Sequence, residues 1–287
     1  MTAEWEAARD IVMGIDPARD WFLPLAWAAD EAARRGLPLR LVLAVPPEHD
    51  TRHPGETSRQ TALRRAGADR LDEAQAWVRE RNPELDVTTE LVAGSPAHAL
   101  VAQARHAHLV VLGSRHLGRI AEFFSAGSTL VPVTAQAPCP VAVVGDAEHV
   151  TQQPPYIVVG IDGSASAEDA LAFAFDAADR RGAELRVLRV RQKSMLMADD
   201  ERAAVAEERI LLVEATAGLT GESPDVRVTH EVLSGHPVEE LARAAEHALA
   251  VVVGRRGRGG YTGMRLGSVA HGLLHRAHCP VITVPSG

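Results

Sequence analysis

Ile157-Val158-Val159-Gly160-Ile161-Asp162 repeats a pattern met 146 positions earlier as Ile11-Val12-Met13-Gly14-Ile15-Asp16. Arg180-Arg181-Gly182 stands at the same distance from Arg34-Arg35-Gly36. Further along, Val110-Val111-Leu112-Gly113 corresponds to Val252-Val253-Gly254 with glycine on glycine, and Gly127-Ser128 to Gly267-Ser268. Cys139-Pro140-Val141 corresponds to Cys279-Pro280-Val281, the offset having shrunk to 140. Matches kept in order over nearly the whole chain mean that one domain has been duplicated. Between the copies, the polar and aperiodic stretch from Gly145 to Pro155 ends in Pro154-Pro155 and reads as a linker. The expected domains are therefore residues 1–147 and 148–287, and a length of 287 residues independently favours two cores over one.

Each copy alternates strand and helix patterns. In the second, Tyr156 to Ile161 is a short β-branched run suited to a strand buried on both faces. Residues 166–181 follow as a helix, with Leu171, Ala174, Phe175 and Ala178 at helical spacing and Gly182 as its stop. The pattern predicts strands over Leu185–Val190, Val226–Leu233, Leu249–Val253 and Val281–Val284. It predicts helices over Ala203–Ala217, Pro237–His247 and Val269–Arg276. Strands separated by helices imply right-handed crossovers, hence an α/β, doubly wound parallel sheet with helices on both faces. Ligands of such sheets sit outside the C-terminal strand ends, where the strand order reverses.

The bulk properties narrow the function. Hydrophobic residues make up 46% and charged residues 24%, the balance of a folded globular chain. A formal charge of −8 argues against nucleic acid and acidic membranes as partners, since both need a basic face. The Met1-Thr2-Ala3-Glu4-Trp5-Glu6 start has no apolar core and does not read as a secretory signal, and apolar runs such as Ala250 to Val253 are too short to span a bilayer. Two cysteines cannot make a disulfide framework, and the expected location is cytoplasmic.

The chemistry gathers after the fourth strand of the second copy. Gly254-Arg255-Arg256-Gly257-Arg258-Gly259-Gly260-Tyr261-Thr262-Gly263 leads through Met264-Arg265-Leu266 to Gly267-Ser268. Glycines let a ligand approach bare backbone, and consecutive N–H groups in such loops form nests for phosphate oxygens. Gly267-Ser268 opens a helix whose first turn carries unpaired N–H donors, where Ser268 can act as the cap and offer its hydroxyl to an anion. A flexible surface loop rich in Gly and Arg is the ordinary alternative, and the position between a buried strand and a helix start favours anion binding over it.

The spacing Gly254-x-x-Gly257, nine residues, then Gly267-Ser268 resembles the G-x2-G-x9-G-[ST] loop of ATP-binding universal stress proteins. Ile157 to Ser164 resembles that family's first strand and acidic turn, and Ala277-His278-Cys279-Pro280-Val281 the segment leading into its last strand. The resemblance implies five parallel strands per domain in the order 3-2-1-4-5, with ATP at their C-terminal ends, Mg2+ accompanying its phosphates, and ADP or AMP as related ligands. It implies adenine and ribose near Ile161 and Asp162, with Val190 lining the base site. Gly254, Gly257, Gly267 and Ser268 would surround the phosphates, followed by the backbone of Val269 and Ala270. It also implies domains that pair along their fifth strands, a pairing that a tandem chain can make within itself, with a homodimer of such chains as a further assembly. Without the downstream loop, the lesser alternative for Asp162 is a turn residue capping a helix.

The first copy departs from this pattern. Asp16 and Val45 stand as counterparts of Asp162 and Val190, but Gly163-Ser164 is replaced by Pro17-Ala18, which stiffens the turn and removes a donor. Its loop places His116 where the second glycine belongs, carries one inserted residue before Gly127-Ser128, and has Glu122, Phe123 and Phe124 where phosphate should pass. Weak or no nucleotide binding is expected there, and a structural role. Other groups read as ordinary: His271, His275 and His278 as surface or loop residues rather than metal ligands, and Cys139 and Cys279 as small buried hydrophobes. Ser95-Pro96 and His236-Pro237 read as helix starts, Trp21, Trp27 and Trp77 as packing residues on helices, and Arg189-Val190-Arg191 as a feature of an edge or of the site's mouth. No catalytic residue is expected, since no paired base accompanies Ser164 or Ser268. The leading expectation is an ATP-binding stress-response regulator. A slow ATPase or phosphoryl or adenylyl transferase, and a nucleotide-independent scaffold, are the alternatives.

Overall fold

The computed structural model describes residues 10–17, 20–45, 54–114, 129–145, 149–191, 198–258 and 266–287. They form two compact units, one holding the first five strands and the other the last five. The first contains β1 (Asp10–Gly14), α1 (Phe22–Arg35), β2 (Leu39–Val45), α2 (Pro54–Arg81), β3 (Val87–Ala93), α3 (Pro96–Gln103), β4 (Ala107–Ser114), α4 (Leu130–Gln136) and β5 (Val141–Gly145). The second contains β6 (Tyr156–Gly160), α5 (Ala165–Asp179), β7 (Glu184–Arg191), α6 (Ala198–Glu222), β8 (Val228–Ser234), α7 (Pro237–Ala244), β9 (Ala250–Gly254), α8 (Ser268–Arg276) and β10 (Val281–Val284).

Within the first unit the strands run β3-β2-β1-β4-β5, and within the second β8-β7-β6-β9-β10, parallel throughout. This is the doubly wound order that the family resemblance implies. The helix layers follow from strands that are apolar on both faces: Val12, Val158, Val251 and Val281 are fully buried, so each strand needs a helix layer above and below. In the second unit α5 packs against β6, β9 and β10 and contacts α6, while α7 and α8 pack together against the same strands.

The repeated Arg-Arg-Gly has a conformational cause. Gly36 closes α1 at φ 63, donating to Ala32 O and Ala33 O, and Gly182 repeats the left-handed turn at φ 56 after α5. A side chain is strained there, which is why glycine stands in both copies. Ser164 caps α5 by accepting the Ala167 N–H, Ser95 caps α3 by accepting the His98 N–H, and Pro96 and Pro237 occupy first-turn positions as expected.

Three expectations need correction. Helix α6 runs from Ala198 to Glu222, longer than residues 203–217. Trp21 precedes α1 as its N-terminal flanking residue rather than lying within it, although it packs as expected, 4.4 Å from Phe22 and edge-on to Trp77 at 6.3 Å between ring centroids. The counterpart of Val190 is Ala44, not Val45. Leu39 pairs with Ile11 as Leu185 pairs with Ile157, so the 146-residue offset carries Val190 onto Ala44. The expectations on His116, Glu122, Phe123, Phe124, Gly127 and Ser128 lie outside the described residues.

Two imidazoles tie stability to pH. Burial, then the charge of Arg209, lowers the pKa of His230, whose Nε2 lies 2.8 Å from Thr216 Oγ1. Burial, then the neighbouring His271, lowers that of His275. Both are depressed below 6.5 in the fold, so the unfolded chain binds more protons once pH falls below that value, and stability is lost with it. The fall in Tm on going from neutral to mildly acidic buffer should be smaller in His230→Gln/His275→Gln than in the parent. Equal falls in the two proteins would show that other groups control it.

Candidate functional site

Strand order in the second unit reverses between β6 and β9, because the connection leaving β6 leads to β7 and that leaving β9 leads to β10 on the opposite side. A cavity of about 240 Å³ opens at this divergence, beyond the C-terminal strand ends. Ile161, Asp162, Val190, Gly254, Gly257, Gly267, Ser268, Val269 and Ala270 all line it. The residues singled out from sequence are thus brought together from five separate segments. Sequence reading missed Leu188, Pro237 and Leu241, which complete the apolar wall. Their signal was present but weak: only Val238 and Leu241 are buried at helical spacing on a helix of eight residues. Gly160 is bare because Leu241 packs on it, a Cβ there lying 2.9 Å from Leu241 Cδ1.

Asp162 joins the two sides of the cavity. Its Oδ1 accepts from the Ser164 N–H at 3.0 Å and the Ser164 hydroxyl at 2.7 Å, shaping the turn into α5. Its Oδ2 accepts from the Arg258 N–H at 2.8 Å, across to the glycine loop. A Cβ on Gly257 would overlap that same Oδ2. The cap of α5 is thus Ser164 and not Asp162, whose carboxylate positions Ser164 and anchors the loop that follows β9.

The base of that loop is pinned as well. The Gly267 N–H donates to Arg255 O at 2.8 Å and the Arg255 N–H to Val284 O at 2.7 Å. Gly267, with φ −70 and ψ 154, is the residue flanking α8, and Ser268 is its first helical residue, with no side-chain capping bond. This corrects the expectation that Ser268 caps the helix. Gly267 takes the extended cap conformation, which leaves the exposed Ser268 hydroxyl uncommitted to the helix end. Gly259, Gly260, Tyr261, Thr262, Gly263, Met264 and Arg265 lie outside the described residues.

Positive charge collects at the mouth. Arg256 lines the cavity, and a methyl placed on Gly163 would lie 3.5 Å from Arg258 Nη1 and 3.8 Å from Arg189 Nη1. Arg189 and Arg191 both approach Glu208, at 3.4 and 3.7 Å, which holds the strand-end arginines in place. β7 lies between β6 and β8, so Arg189-Val190-Arg191 belongs to the mouth and not to a sheet edge. The arrangement offers an apolar slot, a carboxylate and a bare backbone rimmed by guanidinium groups.

Among the described residues no group of three His, Cys, Asp or Glu gathers for a metal; His271 and His275 face each other with Nε2 atoms 3.4 Å apart. Burial pushes the Cys279 thiol up to about 12, and Cys139 is buried too. Thiolate is the reactive form, so iodoacetamide at mildly alkaline pH should leave both cysteines of the native protein unmodified while labelling the unfolded chain. Rapid native labelling would contradict this burial. Gly254 gives a second test. A Cβ there would lie 2.7 Å from the Ser166 carbonyl carbon and 2.9 Å from the Ala167 nitrogen, backbone that cannot yield without shifting α5. Gly254→Ala should destabilise by about 1–3 kcal/mol in urea unfolding. Gly218→Ala, on α6 with nothing within 4 Å, should stabilise by about 0.4–1 kcal/mol. A neutral Gly254→Ala would refute the close approach.

The comparisons with known proteins agree with this architecture. The model of the universal stress protein family matches twice, over residues 8–145 and 156–285. A universal stress protein of Mycobacterium tuberculosis strain H37Rv is 34% identical over 295 residues, covering 95% of each chain. Another, from Mycolicibacterium smegmatis, is 33% identical over 301 residues, covering 96% of each. The crystal structure of a universal stress protein from Archaeoglobus fulgidus superposes with a TM-score of 0.72 at 19% identity, covering 97% of this chain and 96% of that one, a likeness of fold. With two matched domains and relatives aligned over nearly their full length, the chain belongs to the universal stress protein family as a tandem member.

Proposed function

We propose that the C-terminal domain binds ATP or a related adenine nucleotide, and that the protein is a nucleotide-dependent stress-response regulator. The supporting observation is the convergence of nine dispersed residues on one cavity at the switch point between β6 and β9. The residues fit such a ligand. Ile161, Leu188, Val190 and Leu241 form a slot for a planar base, and Asp162 is placed to accept from a ribose hydroxyl. Phosphates would meet the backbone of Gly257 and Gly267 and the first turn of α8, where unpaired N–H groups and the helix dipole favour an anion. Arg256 and the Arg189 and Arg258 guanidiniums supply charge, and Mg2+ would accompany the phosphate oxygens. Within the same proposal, the two domains pair inside one chain, and light scattering decides whether chains also form homodimers.

Asp162 gives the reading a regulatory consequence. The carboxylate that would accept a ribose hydroxyl already holds Arg258, so nucleotide and loop share one anchor. Occupancy therefore changes the support of the loop around Arg255–Gly263. Calorimetry with MgATP on the full chain should give saturable heat with one nucleotide per chain. Asp162→Ala should weaken binding by about 10- to 100-fold, the effect of losing a hydrogen bond to a charged group. Gly257→Glu should abolish it by filling the nest. Absence of heat at millimolar nucleotide would end the proposal.

A further inference from the structure

Helix α8 carries His271 and His275 one turn apart, and their rings face each other at 4.6 Å between centroids, inclined by 60°. The Nε2 atoms lie closer together than the ring centres do, at 3.4 Å, so both imidazoles turn the same nitrogen inward. Two histidines at i and i+4 share one helix face, a recurring arrangement for zinc because one turn brings both nitrogens to a single ion. Here the separation fits that ion. With imidazole–zinc bonds of about 2.0–2.1 Å, nitrogens 3.4 Å apart subtend about 110° at the metal, close to the tetrahedral angle. Spacing alone reads these histidines as surface residues; the facing nitrogens are what the fold adds.

The backbone holds the pair in place. Gly272, between the two histidines, lies against α7 so closely that a Cβ there would be 2.5 Å from Val238 Cγ2. Leu273 and Leu274 are fully buried and seat the same turn on the core. A helix fixed in this way presents its side chains from a rigid frame, which lowers the ordering cost of binding. Charge favours a cation as well. His275 stands in the last turn of α8, near the carbonyl end of the helix dipole. Arg276, the adjacent cation, is drawn to α7, where it pairs with Glu239 at 3.1 Å.

We infer that His271 and His275 form a binding site for a divalent transition-metal ion of the zinc type. Imidazole suits Zn2+, Cu2+ and Ni2+, whereas Mg2+ and Ca2+ take oxygen ligands. Each Nε2 gives its lone pair to the ion and displaces one bound water. Among the described residues no third His, Cys, Asp or Glu joins them, and water fills the positions that protein leaves open. The bound ion ties one turn of α8 to the next, and so stabilises the helix whose opening residues Ser268, Val269 and Ala270 line the C-terminal cavity. Neither histidine lines that cavity, so the inference stands apart from the nucleotide reading.

Zinc chloride titrated into the tag-free full chain, first stripped with EDTA, should give saturable heat. It should also raise Tm by an amount that EDTA reverses, since an ion that binds the folded chain stabilises it. Mg2+ at the same concentration should leave Tm unchanged. His271→Gln and His275→Gln should each weaken zinc binding by at least about tenfold, the loss that even outer-shell partners of a metal site produce. His278→Gln, just beyond the helix, should bind zinc as the parent does. Each variant is read against its own metal-free Tm, so a loss of folding stability does not mimic a loss of metal. No saturable zinc heat in the parent, parental zinc affinity in His271→Gln or His275→Gln, or an equal loss in His278→Gln would overturn the inference. A Tm rise with Mg2+ equal to that with zinc would overturn it too.

Discussion

A carboxylate spans the gap that strand order opens in the C-terminal domain. Parallel strands β6 and β9 are neighbours whose following connections diverge, and nothing in the sheet itself closes the space between the turn after β6 and the loop after β9. Asp162 closes it from one side, holding Ser164 with one oxygen and the Arg258 N–H with the other. Charge-assisted bonds of this type contribute about 1.5–3 kcal/mol where water is excluded, and less at a half-buried site such as this one. Their effect is chiefly positional. They set where the glycine loop begins, and the Gly267–Arg255 bond sets where it ends.

Gly257 shows how the constraint reaches back into the sequence. The motif glycine has a reading in terms of ligand approach, but the contact that demands a bare Cα in this structure is Asp162 itself. Gly163, at φ +77, is the other half of the arrangement, since it allows the chain to turn sharply enough for Ser164 to reach the carboxylate. The N-terminal domain keeps the acid as Asp16 and loses the turn to Pro17, whose ring fixes φ near −65°. Retaining one member of such an arrangement does not retain the arrangement.

Much of this was legible because the fold and the site write different signals into the sequence. The strands were read from β-branched runs buried on both faces, and Val158, Val159, Val251 and Val252 are indeed inaccessible. The site was read from a spaced motif whose members are invisible to hydrophobic patterning. What failed did so at positions where neither signal operates. Val45 was paired with Val190 on residue identity, whereas ladder register, a property of hydrogen bonding between strands, selects Ala44. Ser268 has the residue type of a cap, but the backbone of Gly267 takes the cap position one residue earlier. Leu241 and Pro237 come from a helix too short for its periodicity to announce which face it turns to the cleft. The length of α6 escaped because apolar spacing marks only the part of a helix that touches a core, and the added ends, residues 198–202 and 218–222, are mostly charged, polar or glycine.

The two domains illustrate why duplicated α/β domains keep one architecture while their sites separate. The sheet's stability resides in positions such as Val12 and Val158 or Val141 and Val281, fully enclosed by neighbours, where a change of even one methylene alters packing on both sides. Cleft residues sit at strand ends and helix starts, with packing on one side only. There alanine has become tryptophan between Ala167 and Trp21, and arginine has become serine between Arg255 and Ser114, without disturbing the β1–β4 or β6–β9 register. Substitution at such positions alters charge and hydrogen-bonding demand rather than fold.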